Sequence, residues 1–257
     1  MTTEMAAVLR EIAGDAAIEA VRNKLVLPEA IPEYRTSAEK IPILIFAARA
    51  GSSYSGQLLG KHPAFGRVAE WFNPDHLARL RSENALNNDA ETVQYVLDQQ
   101  DNQVFGTKCT LFGLTSCALL GCLDQILPRA QFILLKRRDP VAHAVSLTKA
   151  QMTGQYSIKQ RQTHHVDIDD YDRGRIDHNL RLIASIYAQL DAFLDRIGKP
   201  ALRVFYEDIV REPAAFQSQI FRHLDITPTS VRTQKTSIEK IADEVNAAWI
   251  ERFKREA

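Results

Sequence analysis

The chain has 257 residues, 45% of them hydrophobic, enough to bury one large α/β core rather than two small ones. Its 32 Lys and Arg balance 32 Asp and Glu, which excludes a bulk polyanion binder, so nucleic acid is not an expected partner. No apolar run reaches the roughly 18–20 residues of a membrane span, and residues 1–8 lack the parts of a secretory signal, so the expectation is a cytoplasmic protein with no stable membrane insertion.

Taken in chain order, residues 3–24 read as a helix with Met5, Val8, Leu9, Ile12 and Ala16 on one face. A linker with Pro28 and Pro32 follows, which divides the chain into a helix-and-linker segment, 1–40, and a main domain, 41–257. The first helix then docks on that domain or on a partner chain. The Ile-rich run 41–48 predicts a buried strand. A small-residue loop, Arg49-Ala-Gly-Ser-Ser-Tyr54, leads into a helix through Gly60. Helices follow at 75–82 and 88–100, a strand at 103–107, and a helix at 114–127 that ends at Pro128. Residues 131–136 predict a third strand, and Pro140 opens another helix at an allowed first-turn position. The polar, His- and Asp-rich stretch 154–172 reads as a long loop of the kind that binds or covers ligands. Leu180, Ile183, Tyr187, Leu190 and Leu194 mark an amphipathic helix, 201–206 a fourth strand, and Ile241, Val245, Trp249 and Phe253 a last helix. Strands alternating with helices predict an α/β fold with a parallel sheet covered on both sides. Cys109, Cys117 and Cys122 form no Cys-x-x-Cys and lack His partners at ligand spacing, so they are expected as buried free thiols without a metal.

Two strand ends carry chemistry. After the first strand, Gly51 permits positive φ, and the unpaired N–H groups of residues 51–54 begin a helix whose dipole favours an anion. Ser52 and Ser53 add hydroxyls, and Arg49 adds a planar fork suited to phosphate or sulfonate oxygens. The loop is not a Walker A motif, because Gly51 is followed by Ser rather than by Lys and Ser/Thr. An ordinary βα turn would use the glycine in the same way. After the third strand stand Lys136, Arg137 and Arg138, then Asp139 as a helix N-cap and Ser146 about two turns on. Such cations must face water, a carboxylate or an anionic ligand. Two anion sites at strand ends suggest a ligand with two separated anionic groups.

These residues, in this order, resemble the bacterial PAPS-dependent sulfotransferases of the Stf0 type, whose prototype acts on trehalose (PAPS is 3′-phosphoadenosine-5′-phosphosulfate). Ile43 to Tyr54 resembles their 5′-phosphosulfate loop, Ala69-Glu-Trp-Phe-Asn73 their Glu-Phe/Tyr-Phe segment, and Phe105-Gly-Thr-Lys108 their Gly-x-Lys strand. Leu135 to Ser146 resembles their 3′-phosphate segment, and Thr233-Gln-Lys with Trp249 to Phe253 their closing region. The sequence departs from the pattern at Ala50, where Ser is usual, and at His143, where Gln is common.

The resemblance implies a P-loop-like three-layer fold and sulfuryl transfer from PAPS, leaving adenosine 3′,5′-bisphosphate (PAP). Arg49, Ala50, Gly51, Ser52, Ser53 and Tyr54 would hold the 5′-phosphosulfate, and Arg137 and Ser146 the 3′-phosphate. Glu70 would be the general base, with Trp71 and Phe72 as apolar neighbours, and Arg49 and Lys108 would assist the transfer. The sulfonate carries one negative charge, so positioned donors serve and no metal is expected. The acceptor is expected to be a sugar, glycolipid or other small hydroxyl compound, and a homodimer is expected from the terminal helices. His143, His164 and His165 stand as candidate acceptor contacts, each with a simpler structural or solvated reading. A small-molecule kinase with Mg²⁺ and a non-catalytic nucleotide-binding scaffold are the competing readings.

Overall fold

In the computed structural model, which describes residues 3–100, 102–156, 160–227 and 243–256, strand β1 (Ile41–Phe46) is buried at all six positions. A strand apolar on both faces needs cover on both faces. Two helices precede it, α1 (Glu4–Ala13) and α2 (Asp15–Arg22). They form one expected helix broken at Gly14, whose φ of 83° lies outside helical space. Thr3 caps α1 by accepting from the Ala6 N–H, and Met5, Ala6 and Leu9 pack into the chain's own core.

After β1 come α3 (Ser52–Leu59), α4 (Pro74–Glu83) and α5 (Asp89–Asp98). The second strand, β2, spans Thr107–Cys109 rather than 103–107. Val104 makes only isolated bridges, to Lys40 and Phe65. The Gly106 carbonyl accepts from Trp71 Nε1 at 3.2 Å, so the ladder with β1 starts at the next residue.

The helix expected at 114–127 is two, α6 (Leu111–Leu119) and α7 (Cys122–Ile126), because Gly121 takes φ 72°. Cys109, Cys117 and Cys122 are buried and free. Then follow β3 (Ala130–Lys136), α8 (Pro140–Thr153, capped by Asp139), α9 (Arg173–Arg196, capped by Asp172) and β4 (Ala201–Phe205). The chain closes with α10 (Tyr206–Arg211), α11 (Pro213–His223) and α12 (Glu244–Arg255). Ile241 and Thr233 lie outside the described residues.

All strand pairs are parallel, in the order β2-β1-β3-β4. Ile41, Ile43 and Ile45 face a core shared with α1, α6 and α9, while Leu44 and Phe46 face one shared with α3 and α11. The result is the expected three-layer α/β fold. A third apolar cluster joins α8, α9 and α12 around Trp249. The chain leaves β1 toward β2 on one side and β3 toward β4 on the other. The crevice for a ligand is therefore at the carboxyl ends of β1 and β3.

Candidate active site

The loop after β1 turns sharply. The Ala50 N–H donates to the Ala47 carbonyl at 3.1 Å, Arg49 adopts φ 68° and Gly51 φ 99°. Residue 51 must be glycine for two reasons. Its φ is left-handed, and a Cβ there would overlap the ring of Tyr206, which opens α10 after β4. Ala50 is fully buried in the α3-side core, so its methyl packs instead of offering a donor. Helix α3 begins at once, with Ser52 buried, Ser53 exposed and Tyr54 set edge-on to Tyr206 at 6.3 Å.

Arg49 leaves this loop and meets α8. Its Nε donates to Ser146 Oγ at 3.3 Å, and its Nη1 donates to the Tyr156 carbonyl. Arg137, at the end of β3, donates from Nη1 to the Ala142 carbonyl at 3.4 Å and lies 4.9 Å over the Tyr206 ring. Its Nε is buried with no partner among the described residues. Burial lowers the pKa of both guanidiniums, and the charge of Arg137 lowers that of Arg49 further. Neither is ion-paired with a carboxylate among the described residues. Two neighbouring, half-buried cations with no carboxylate partner among the described residues are suited to an anion, which would compensate their burial.

The other two cations of the basic turn go elsewhere. Lys136 Nζ pairs with Asp191 at 3.3 Å and sits over the Tyr187 ring, while Arg138 pairs with Asp208 and covers Phe205. His143 lies beneath the loop and donates from Nε2 to the Ala48 carbonyl at 2.8 Å. Burial lowers its pKa to about 4, with the charges of Arg137 and Arg49 acting in the same direction. It is a neutral strut for the Arg49 loop. His164 and His165 are exposed, and His164 Nδ1 meets Thr163 Oγ1 at 3.0 Å.

Glu70 and Lys108 form a second group. Residues 69–73 run beside β2, with the Lys108 N–H donating to the Ala69 carbonyl at 2.8 Å and Ala69 bridged to Thr107. The Glu70 carbonyl accepts from the Asn73 N–H at 3.1 Å and from His76 Nδ1 at 3.1 Å, which ties it to the start of α4. Its carboxylate lies 3.6 Å from Lys108 Nζ. Burial lowers the pKa of Lys108, and Glu70 opposes that shift. Trp71 and Phe72 turn into the core: Trp71 Nε1 donates to the Arg67 and Gly106 carbonyls, and Phe72 packs on Phe105. The partner the structure offers Glu70 is therefore an ammonium, in place of the apolar neighbours expected from the sequence.

Among the described residues no hydrogen bond or ion pair joins Glu70 and Lys108 to Arg49 and Ser146. Helix α3 links them spatially. Its first residue follows Gly51, and Gly56, four residues or about 6 Å along, packs against the Lys108 stem, with 2.9 Å between Lys108 Cδ and an idealised Cβ at residue 56. Tyr206, beneath the Arg137 guanidinium, and Lys149, on the same cleft wall as Arg49, were not singled out from the sequence. The signal for Tyr206 was faint: an aromatic at the end of the fourth predicted strand, beside the carboxyl end of the third. Arg49, Ser146 and Lys149 line a small cleft.

Residues 67–256 match the model of the Stf0 sulphotransferase family. The chain belongs to that family. Sulfotransfer is accordingly its general activity. No curated protein matches the sequence. A sulfotransferase from Alicyclobacillus acidocaldarius shares 17% identity and a TM-score of 0.51, over 87% of this chain and 93% of that one. The sulfotransferase domain of the Synechococcus PCC 7002 olefin synthase shares 16% identity and a TM-score of 0.49, over 88% of this chain and 98% of that one. At such identity the Alicyclobacillus likeness speaks to the fold. Glu70, Lys108, Arg137 and Ser146 fall within the family match, and the Arg49–Tyr54 loop lies ahead of it.

Proposed function

We propose that this Stf0 sulfotransferase moves a sulfuryl group from PAPS to a hydroxyl of a carbohydrate, glycolipid or other small-molecule acceptor, with Glu70 as general base. The observation that carries the reading is the pair of half-buried guanidiniums, Arg49 and Arg137, beside the N-terminus of α3 at the β1–β3 crevice. The residues fit the donor. Arg137 Nε is buried without a partner among the described residues, and the first N–H groups of α3 follow directly on the Gly51 turn. Gly51, Ser52, Ser53 and Tyr54, with Arg49, would hold the 5′-phosphosulfate by backbone N–H groups, hydroxyls and charge. Arg137 and Ser146 would hold the 3′-phosphate.

PAPS supplies a sulfuryl group that passes in line to the acceptor oxygen as its bond to the 5′-phosphate oxygen breaks. Glu70 receives the acceptor's hydroxyl proton, and a carboxylate 3.6 Å from an ammonium is held ready for that role. Lys108 orients Glu70 and balances its charge. Fixed donors suffice for a singly charged sulfonate, so the transfer proceeds without a metal.

Titration calorimetry with PAP in EDTA, repeated with ATP and Mg²⁺, tests the reading. Micromolar or tighter PAP binding without metal, followed by transfer from labelled PAPS to sugar or glycolipid acceptors, is the expected result. Preference for Mg²⁺-ATP, or no PAP binding, overturns it.

A further inference from the structure

The cleft at Arg49 does not end at Ser146. It continues along α8 past Lys149 to Thr153, with Gln155 and Asn246 also on its wall. Lys149 lies three residues after Ser146, so the two side chains share a helix face. The Lys149 side chain is 8% exposed. A buried ammonium requires partners. It finds them on α12: Nζ donates to the Asp243 carboxylate and lies 3.5 Å from Asn246 Oδ1.

The two members of this ion pair are placed unequally. Lys149 is enclosed in the cleft wall, whereas Asp243 is 49% exposed at its margin. Asp243 also has separate work as the N-cap of α12, where its Oδ1 accepts from the Asn246 N–H at 3.3 Å. It can turn further into water once another anion takes its place at the enclosed Lys149. The enclosed cation cannot. Among the described residues, the remaining polar side chains on the cleft wall, Ser146, Thr153, Gln155 and Asn246, are neutral. An oxoanion held at Ser146 is thus about one helical turn, ~5 Å, from Lys149. It is attracted by Lys149 and repelled by Asp243.

We propose that Lys149 is a further binding residue for a phosphate monoester in this cleft, the 3′-phosphate of the donor nucleotide. Asp243 is the counter-ion that competes with that phosphate for it. The inference rests on the PAPS reading above and adds to it a cation that the sequence motifs did not single out.

The test is calorimetry at fixed ionic strength with PAP and with adenosine 5′-phosphate, which lacks the 3′-phosphate, on wild type, Lys149→Met and Asp243→Asn. Lys149→Met is expected to weaken PAP binding by about 10- to 100-fold, the loss of a charge-assisted hydrogen bond, and to leave the 5′-phosphate affinity unchanged. Asp243→Asn keeps a capping oxygen and removes the competitor, so PAP binding tightens by about 2- to 5-fold, the scale of an exposed charge interaction. A Lys149 that merely anchored α12 would give the opposite sign, with Asp243→Asn weakening PAP as Lys149→Met does, and would overturn the proposal. Equal losses for both nucleotides in Lys149→Met would also overturn it. Wild-type protein that binds no PAP overturns the donor reading itself, a different outcome from wild type that binds PAP while the variants fail. If Lys149→Met does not fold, Asp243→Asn decides alone: tightening supports the inference, and weakening or no change sinks it.

Discussion

Glu70 and Arg137 show what a single side chain can and cannot announce. Arg137 is one of three consecutive cations, and the structure sends one inward and two outward to Asp191 and Asp208. The selection follows from strand alternation at the end of β3 and from which neighbours carry carboxylates. Glu70 enters a loop whose backbone is held at Ala69, Asn73 and His76, so its carboxylate is aimed by fixed neighbours at Lys108. Replacing it with Gln keeps shape and hydrogen bonding but removes the proton acceptor. Glu70→Gln is expected to lower kcat by about 10²- to 10⁴-fold, the usual contribution of general base catalysis, while PAP affinity stays the same in calorimetry. Unchanged turnover would remove Glu70 from the chemistry. The Arg49–Tyr54 loop was legible as a sharp strand-to-helix turn because Gly51 stands directly between a buried strand and a helix start. Tyr206 and Lys149 were not. Their contacts to Gly51, Arg137 and Asp243 join residues far apart in the chain, and no local pattern encodes them.

At the scale of elements, periodicity located β1, β3, β4 and the long α9, because each carries an apolar run or stripe of sufficient length. It failed where tertiary contacts decide a boundary. Strand β2 begins late because Trp71 takes the Gly106 carbonyl, and a helix expected to be continuous divides at Gly121, which is pressed against Ile31. Helix α12 is the converse case, a short helix with a strong apolar face. Its Trp249 is fully buried against α8 and α9, and its Nε1 donates to the Ile168 carbonyl at 3.1 Å. Trp249→Ala is expected to cost about 3–5 kcal/mol in urea unfolding, the range for deleting a large buried aromatic. The same cluster contains Ala47 and Ala144, neighbours of the Arg49 loop and of His143, so α12 supports the Arg49 loop from behind. A cost below about 1 kcal/mol, the scale of a surface change, would show that α12 is only loosely attached.

For the molecule as a whole, the carboxyl ends of β1 and β3 concentrate charge that the fold must tolerate. Arg49 and Arg137 are held close together, and His143 completes the support from α8, with Tyr187 of α9 at 6.1 Å from its ring. A third positive charge here would repel both arginines, which is one reason the imidazole stays neutral down to about pH 4 in the folded protein. The sign of the resulting pH dependence follows. In the unfolded chain His143 takes up a proton below about pH 6.5, whereas in the folded chain it does so only near pH 4. Between these values the unfolded state binds more protons, so stability is full above the upper limit and falls as the pH drops through the window. The loss from this one group is on the order of 3 kcal/mol. Gln at position 143 can still donate to the Ala48 carbonyl but cannot titrate. His143→Gln is therefore expected to match wild type at pH 7.5 and to lose less stability between pH 6.5 and pH 4 in urea unfolding. Carboxylates titrate in both proteins and cancel in the difference. Parallel pH profiles for the two proteins would mean that His143 is not the neutral strut its position under Ala48 makes it.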